Sequence, residues 1–251
     1  MTNILITGAS SGIGESLAKI YNQKQNTLFL ISRNEKKLTT LKNTLKTAKK
    51  VEIHICDVTD SKKMAQIIQK IQQAHQLDLV IANAGISAGT SKDIESQNQV
   101  NQIFNTNLNG VLNTINPAIE FFKQRKSGQI AVVSSLAGFL SLPSCPSYSA
   151  SKVAVKNYCE ALMINLKNFN IHLSIICPGY IKTNMTKVND FYMPFLMDSQ
   201  KAATIIKKGL DVKKRRIIFP KRFYFIILFI SFLPNFVKDF IFSKLPGKKS
   251  F

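Results

Sequence analysis

Strand-length runs of apolar residues alternate with segments of helical periodicity along most of the chain. We predict seven strands, at 3–8, 27–32, 51–56, 77–85, 128–135, 171–179 and 215–220. Little apolar–polar alternation occurs within these runs, which indicates strands covered on both faces. The order therefore predicts an α/β fold with a doubly wound parallel sheet, in which ligands bind at the carboxyl ends of the strands.

A glycine-rich turn, TGASSGIG, follows the first predicted strand and leads into a predicted helix. Backbone amides and the positive end of a helix can hold a pyrophosphate at such a position. The candidate cofactor-binding residues of this loop are Gly8, Ser10, Ser11, Gly12, Ile13 and Gly14. The alternative is a tight turn without a ligand, but its place between a strand and a helix favours dinucleotide binding.

Ser32 and Arg33 stand at the end of the second predicted strand. A site specific for NAD usually carries an acid there, to bind the ribose 2′-hydroxyl. An arginine instead offers a planar set of donors that matches a 2′-phosphate, whereas an aspartate would repel it. We therefore predict NADPH (NADP) as the cofactor, with NADH disfavoured; the alternative is that Arg33 is a solvated surface residue of the basic stretch SRNEKK.

Composition narrows the classes of function. The chain has 251 residues, of which 45% are hydrophobic, and neither a linker nor a repeat divides it. Its scattered Cys and His residues form no metal-ligand motif. The net charge of +20 suits nucleic acid or an anionic membrane, but no nucleic-acid motif accompanies it, so we expect no nucleic-acid partner. The N-terminus enters an apolar strand without a secretory pattern, which predicts a cytoplasmic protein.

Several motifs follow one another in a specific order: TGASSGIG, Asp57, NAG at 83–85, Asn107, Ser135, YSASK at 148–152 and PGYIKT. With this order, and with Tyr148 thirteen positions after Ser135, the chain resembles the short-chain dehydrogenase/reductase family over about residues 3–185. The resemblance implies a Rossmann-type fold and an NAD(P)-dependent oxidoreductase.

By that resemblance, Asn107, Ser135, Tyr148 and Lys152 form a catalytic tetrad. Tyr148 is expected to protonate a carbonyl oxygen, Ser135 to hydrogen-bond it, and Asn107 to complete a water-linked proton path. Lowering a phenol pKa from about 10 to about 7 needs roughly 4 kcal/mol, which the Lys152 ammonium can help supply. Lys152 is also expected to hold the nicotinamide ribose. The alternatives are a turn hydroxyl at Ser135 and a helix-interior amide at Asn107.

The same resemblance implies further cofactor contacts. Asp57 and Val58 are expected beside the adenine, although Asp57 could instead cap the following helix. The adenosine ribose is expected beside Asn83, Ala84 and Gly85, and the nicotinamide beside Pro178, Gly179, Ile181 and Thr183. The following FYMPFLM segment suggests either an apolar substrate or internal packing of a lid.

A basic and apolar segment, 221–251, follows the predicted catalytic domain at 1–220. Residues 223–233 are almost wholly apolar, and as a helix they span about 16 Å, which is too short to cross a bilayer. After Pro234, an amphipathic pattern is formed by Phe236, Val237, Phe240, Ile241 and Leu245. With its basic flanks, the segment predicts peripheral binding to an anionic membrane. Packing on the domain or in a homodimer interface is the alternative.

These patterns lead to one preferred hypothesis. It is an NADPH-dependent carbonyl reductase, or alcohol dehydrogenase in reverse, at the cytoplasmic face of a membrane, acting on a lipophilic or lipid-linked ketone. A non-catalytic NADP-binding scaffold or sensor is a second hypothesis, but it would be expected to lack Tyr148 or Lys152, and both are present. A third is a soluble reductase of small ketones that uses the C-terminal helices as a dimer interface.

Overall fold

A parallel sheet of seven strands forms the middle layer of the protein. The computed structural model describes residues 2–90, 93–244, 247, 248 and 250. In chain order the strands are β1 (Thr2–Thr7), β2 (Asn26–Ser32), β3 (Lys50–Ile55), β4 (Leu79–Ala82), β5 (Gly128–Val133), β6 (Ile171–Pro178), β7 (Ile181–Lys182), β8 (Met197–Asp198) and β9 (Arg216–Phe219). The large sheet has the order β3-β2-β1-β4-β5-β6-β9, while β7 and β8 pair separately. The predicted α/β class with a parallel sheet is confirmed.

Helices connect the strands and cover both faces of the sheet. They are α1 (Gly12–Ile20), α2 (Glu35–Thr44), α3 (Ser61–His75), α4 (Gln97–Phe104), α5 (Gly110–Arg125), α6 (Pro146–Leu166), α7 (Asn184–Lys187), α8 (Ser199–Asp211), α9 (Lys221–Ser231) and α10 (Asn235–Ser243). A π-helical turn, Asn105–Asn109, separates α4 from α5, and a short 3₁₀ turn, Leu136–Phe139, follows β5.

Side chains of consecutive strand residues point to opposite faces of the sheet, so two cores form. In β1, for example, Ile4 and Ile6 belong to one core and Leu5 belongs to the other. All three are fully buried. This double coverage explains why the inner strands β1, β2 and β4 contain runs of consecutive apolar residues, whereas the edge strand β3 alternates between polar and apolar residues.

The strand order reverses between β1 and β4, because β1 continues through β2 to β3 while β4 continues in the other direction. Connections leave such a switch point on opposite faces, which opens a crevice at the carboxyl ends of the strands. The turns after β1, β4 and β5 all reach this edge. The candidate site lies at this edge of the sheet.

The C-terminal helices α9 and α10 follow β9 directly. Helix α9 contacts β9 and the 3₁₀ turn, and its Ile227 belongs to the core beneath α6. Tyr224 meets Phe139 edge to face, with ring centroids 5.1 Å apart. The structure therefore does not support a separate apolar extension, and Leu245 of the predicted amphipathic pattern lies outside the described residues. Among the residues described, no helix has both the length and the apolar character needed to cross a bilayer.

Candidate active site

The glycine-rich loop after β1 has a backbone that side chains would disturb. Gly8 and Gly12 adopt positive φ angles of 64° and 59°, a region that favours glycine. A Cβ added to Gly8 would lie 2.8 Å from Ala84 Cα, and one added to Gly12 would lie 2.9 Å from Thr183 Cγ2. Among the described residues, the Ser11 side chain caps no amide of α1. The loop is thus a close-fitting cradle whose helix amides suit a phosphate group.

The NAG motif after β4 holds this cradle in place. Thr7 Oγ1 accepts hydrogen bonds from the backbone amides of Asn83 at 3.1 Å and of Ala84 at 3.2 Å. The Asn83 side chain donates to the backbone oxygen of Thr7 at 3.0 Å. A Cβ at Gly14 would lie 2.6 Å from Asn83 Nδ2. Asn83 therefore ties the ends of β1 and β4 together, whatever it contacts in a ligand.

Arg33 and Asp57 close the far end of the crevice, beyond β2 and β3. The Arg33 guanidinium lies 3.3 Å from Asp57 Oδ2 and is exposed, and Ser10 and Ser32 share a hydroxyl hydrogen bond of 2.7 Å. Asp57 Oδ1 accepts from the amide and hydroxyl of Thr59, both at 2.9 Å. Although partial burial acts to raise it, these bonds and Arg33 hold the Asp57 pKa below its ordinary value. The helix that follows is capped by Asp60 instead of Asp57.

Tyr148 and Ser135 meet at the middle of the crevice. Tyr148 lies in the first turn of α6, which begins at Pro146, and Ser135 lies close enough to its hydroxyl to lower the pKa of the phenol against the effect of burial. Ser135 Oγ also accepts from the Ala137 amide at 3.1 Å, so it caps the 3₁₀ turn as well. Its structural role as a turn hydroxyl and its place beside the phenol therefore coexist.

Lys152 lies one helical turn after Tyr148 and is only 4% exposed. Its Nζ donates to the Val133 carbonyl at 3.0 Å and lies 5.8 Å from the centre of the Tyr148 ring. Burial lowers the pKa of Lys152 to about 8 and raises the pKa of Tyr148 to about 12, although Ser135 acts to lower the latter. The position of Lys152 one turn after Tyr148 in the sequence predicts a lowered pKa of the phenol. Burial instead raises the pKa of Tyr148 and keeps the phenol protonated at neutral pH.

Asn107 is fully buried within the π-helical turn. Its side-chain oxygen accepts from the Ile86 amide at 2.8 Å, and its Nδ2 donates to Ile86 O at 3.0 Å and Ser151 Oγ at 3.1 Å. A Cβ added to Gly85 would lie 3.2 Å from Asn107 Oδ1 and 3.5 Å from Lys152 Nζ. The glycine thus lets the carboxamide and the ammonium approach the same point.

These features line one continuous cavity of about 500 Å³. Among the residues predicted from the sequence, its wall includes Gly8, Ser10, Ser11, Gly12, Ile13, Ser32, Arg33, Asp57, Val58, Asn83, Ala84, Gly85, Ser135, Tyr148, Lys152, Pro178, Gly179, Ile181 and Thr183. Gly14 and Asn107 are absent from this wall within the described residues and act from behind it. Thr183 lies against Gly12, so the segment after β6 reaches the glycine-rich loop.

One half of the cavity is lined by apolar residues, and few of these residues belong to the sequence motifs. Tyr180 stacks on Phe223 of α9 with ring centroids 5.8 Å apart, and Phe191 meets Tyr180 edge to face. Further apolar lining comes from Leu136, Leu140, Leu142, Pro194, Ile227, Ile230, Ile241 and Phe242. The apolar FYMPFLM segment indicated an apolar region of the site. No motif indicated that side chains of α9 and α10 line the cavity.

Helix α9 has two different apolar faces. Phe223, Ile227 and Ile230 face the cavity. On the outside, Phe229 is 69% exposed, and Phe232, which follows the helix, is 86% exposed. Helix α10 repeats this division, with Ile241 lining the cavity and Phe236 exposed. The two helices that line the apolar half-site therefore also expose apolar side chains on their outer faces.

The residues of the polar half suit a dinucleotide. The glycine-rich loop lies on the cavity wall where α1 begins, so the backbone amides of the first helical turn can hold a phosphate group. The hydroxyl and guanidinium groups beyond β2 can receive a ribose or its phosphate. The polar half leads directly to Ser135, Tyr148 and Lys152, and then to the apolar half. The geometry can therefore bring a cofactor and an apolar reactant together at one phenol.

Comparison with known proteins gives a consistent result. The family model for short chain dehydrogenase matches residues 2–191. An uncharacterized oxidoreductase of Myxococcus xanthus is 33% identical over 233 residues, covering 92% of each chain. A 3-ketodihydrosphingosine reductase of Bacteroides thetaiotaomicron is 31% identical, over 73% of this chain and 65% of its own length. A 3-oxoacyl-[acyl-carrier-protein] reductase of Rickettsia typhi is 32% identical, over 74% and 76%.

Solved structures share the fold over nearly the whole length. A short-chain dehydrogenase/reductase from Burkholderia phymatum, in complex with NAD, superposes with a TM-score of 0.83 at 21% identity, covering 98% of this chain and 96% of the other. A short-chain dehydrogenase from Sphingobium yanoikuyae, in complex with NADPH, gives 0.80 at 20% identity, with the same coverage. The two neighbours thus carry different cofactors, and at these identities the likeness concerns the fold.

Proposed function

This chain belongs to the short-chain dehydrogenase/reductase family and is an NAD(P)-dependent oxidoreductase, and we propose that it reduces a lipophilic or lipid-linked ketone with NADPH. The observation that carries the proposal is the position of Tyr148 and Ser135 at the junction of a polar and an apolar half-site in one cavity. A scaffold that only bound the dinucleotide would not need a phenol and an ammonium at this junction.

When bound, NADPH supplies a hydride to the carbonyl carbon. Residues of the protein protonate and hydrogen-bond the carbonyl oxygen. The Tyr148 hydroxyl donates its proton to the carbonyl oxygen, and the Ser135 hydroxyl hydrogen-bonds the same oxygen as its charge grows. Burial holds the pKa of Tyr148 at about 12, so the phenol carries the proton to be donated at neutral pH.

Lys152 stabilises the phenolate that remains after the proton has left. Its ammonium is buried beside the ring, so the attraction acts with little solvent screening. Asn107 completes the path by which the phenol regains a proton. Its carboxamide, held by the Ile86 backbone, lies next to the point that Lys152 Nζ also reaches.

The preference for NADPH rests on the far end of the polar half. Arg33 lies on the cavity wall beside the Ser10 and Ser32 hydroxyls, at the position where NAD-specific sites usually carry an acid. The Arg33 side chain is exposed and its contact with Asp57 is 3.3 Å long, so the guanidinium can turn toward a 2′-phosphate. The Asp57 carboxylate keeps its two hydrogen bonds from Thr59 when it does so.

The lipophilic character of the substrate rests on the apolar half-site. Its walls are the inner faces of α9 and α10 together with Tyr180 and Phe191. Two similar proteins have names that refer to keto lipids, namely 3-ketodihydrosphingosine reductase and 3-oxoacyl-[acyl-carrier-protein] reductase. Both the lining and the relatives favour a ketone that carries an aliphatic chain.

Binding to the cytoplasmic face of an anionic membrane completes the proposal. The exposed outer surface of α9 and α10 includes Phe229, Phe232 and Phe236, and Lys221, Arg222 and Lys238 lie beside it in sequence. Apolar insertion and attraction to anionic headgroups can then act together. Because the inner faces of the same helices line the cavity, a membrane-bound chain would hold its apolar half-site close to the lipid.

A chain-length series tests the substrate class. Oxidation of NADPH is followed with β-keto methyl esters of increasing length, and Tyr148→Phe serves as the blank. Each methylene that enters the apolar half-site is worth about 0.8 kcal/mol, so kcat/KM should rise about fourfold per methylene until the cavity is filled. A value that does not change with length would contradict a lipophilic substrate and favour small ketones.

Sedimentation with vesicles tests the membrane surface. The intact chain should bind vesicles of phosphatidylserine and phosphatidylcholine, and binding should weaken but persist as salt rises, because screening removes only the charge contribution. Phe229→Ala and Phe232→Ala should each weaken binding about tenfold if the ring is buried in lipid. Ile164→Ala, which alters an exposed apolar residue of α6, is the matched control. Equal effects of all three variants would contradict the proposed surface.

A further inference from the structure

The chain returns to the active site after α10. Lys248 lines the cavity that holds Tyr148 and Lys152, although 96 positions separate it from Lys152 in the sequence. Its backbone packs so closely against Gly89 that a Cβ at that glycine would collide with it. The absence of a side chain at Gly89 therefore makes room for the C-terminal segment beside the NAG motif.

The Lys248 ammonium lies among groups of the reaction centre. Its Nζ donates a hydrogen bond to Ser87 Oγ and lies 5.3 Å from the centre of the Tyr148 ring. The Cys145 thiol is close enough for the two groups to influence each other's ionisation. This cation thus lies near the same phenol ring as Lys152 but comes from the segment after α10 and contacts Ser87.

Lys248 is partly buried, and a cation withdrawn from water normally has an anionic partner, because an unpaired charge is costly to remove from water. Within the described part of the chain, none of the ion pairs includes Lys248. Burial accordingly lowers its pKa. Ser87 supplies only a neutral oxygen. A negatively charged group of a ligand in the cavity would provide the partner that the side chains of the described residues do not.

We infer that Lys248 is a substrate-binding residue that recognises a carboxylate or phosphate group close to the reacting ketone. This inference rests on the proposed reductase function and makes its substrate class more specific. A carbonyl oxygen held by Tyr148 and Ser135 lies beside the ring that Lys248 also faces. The anionic group must therefore be within a few bonds of the carbonyl carbon.

The remainder of such a substrate extends toward the apolar half-site. Leu136, Phe223 and Ile227 line that half, so an aliphatic chain suits the end away from Lys248. The substrate class is then an amphiphilic ketone, with an anionic group and a chain on either side of the carbonyl. The exposed surface of α9 and α10 is a separate feature, so this inference does not depend on membrane binding.

Two matched pairs of probes test the inference. One pair is a long-chain γ-keto carboxylate and its methyl ester, and the other is an α-hydroxy ketone and its phosphate monoester. Binding of each probe to the NADP complex is measured by calorimetry, and kcat/KM is measured with NADPH. The variants are Lys248→Ala, Lys248→Glu and Lys248→Arg. Lys244→Ala is the control, because Lys244 is exposed and contacts the Phe240 ring.

We expect the wild type to bind the charged member of at least one pair more tightly, and the pair concerned identifies carboxylate or phosphate as the ligand group. A hydrogen bond to a charged group corresponds to about ten- to hundredfold in affinity. Lys248→Ala should reduce the preference by that factor, Lys248→Glu should reduce it further, and Lys248→Arg should retain most of it. Lys244→Ala should keep the wild-type preference.

An unchanged preference in Lys248→Ala would overturn the inference. An equal gain in kcat/KM for both members of a pair in Lys248→Ala would also overturn it, because that result would mean that the Lys248 side chain merely blocks the cavity. The binding measurement separates this inference from the proposed function. Charge-selective binding without any reduction of the ketone would support the role of Lys248 and contradict the reductase.

Discussion

Replacing Ile227 by alanine tests whether α9 is part of the folded domain. The Ile227 side chain is 7% exposed and belongs to the core beneath α6. Alanine removes three carbon atoms, and at ~0.8 kcal/mol for each buried methylene the lost transfer free energy is about 2.4 kcal/mol. Because one side of Ile227 already faces the cavity, we expect little additional cost from a new void and a total of about 2–3 kcal/mol.

Thermal unfolding without detergent or vesicles measures this loss. For a chain of this length, the expected destabilisation of Ile227→Ala lowers Tm by about 5–10 °C. Phe229→Ala is the matched control on the same helix, because Phe229 is 69% exposed and its removal should lower Tm by less than about 2 °C. If Ile227→Ala melts with the wild type, or both variants shift equally, α9 is not packed on the domain in solution.

Two further predictions concern charged residues of the polar half. Arg33→Asp should reduce the ratio of kcat/KM for NADPH over NADH at least tenfold, because it removes a charged hydrogen bond to the 2′-phosphate and adds repulsion. Lys37→Asp, on the exposed face of α2, is the control. Equal use of both cofactors by the wild type would refute the assignment of Arg33. Burial lowers the pKa of Lys152 from 10.5 to about 8, so between these values the unfolded chain binds more protons and wild-type stability rises with pH. Lys152→Met lacks this pH dependence, so it should be more stable than the wild type at pH 7 by up to roughly 3 kcal/mol, and the difference should shrink toward pH 10. Denaturant unfolding at both pH values measures the difference. A variant that is less stable than the wild type at pH 7 would contradict a buried charge at Lys152.

The sequence predicted those parts of the fold whose signals are local. Strand-length apolar runs identified the seven strands of the large sheet, and the inner strands β1, β2 and β4 gave the clearest signal because burial on both faces requires apolar residues at successive positions. Gly8 and Gly12 marked the loop after β1 because their positive φ angles favour glycine. The paired strands β7 and β8 were not predicted, since two residues each are too few to show a period.

The parts that the sequence did not predict depend on contacts between distant segments. The apolar run at 223–233 has the same composition whether it contacts lipid or protein, and only the fold shows that Ile227 faces inward while Phe229 faces outward. The ionisation of Tyr148 likewise depends on burial, which the YSASK motif does not encode. Lys248 carries no motif at all, because its position follows from the path of the chain after α10.

The most direct test of the central claim follows the transfer of an isotope. NADPH deuterated at C4 of the nicotinamide is mixed with a long-chain β-keto ester, and deuterium at the carbinol carbon of the product is measured for the wild type and Tyr148→Phe. Cofactor binding is measured separately by fluorescence. We expect both proteins to bind NADPH, and we expect transfer in Tyr148→Phe to be at least about a hundredfold slower, because only the proton donor is lost. Transfer by Tyr148→Phe within about twofold of the wild type would contradict the assignment of Tyr148 as the acid of a carbonyl reductase.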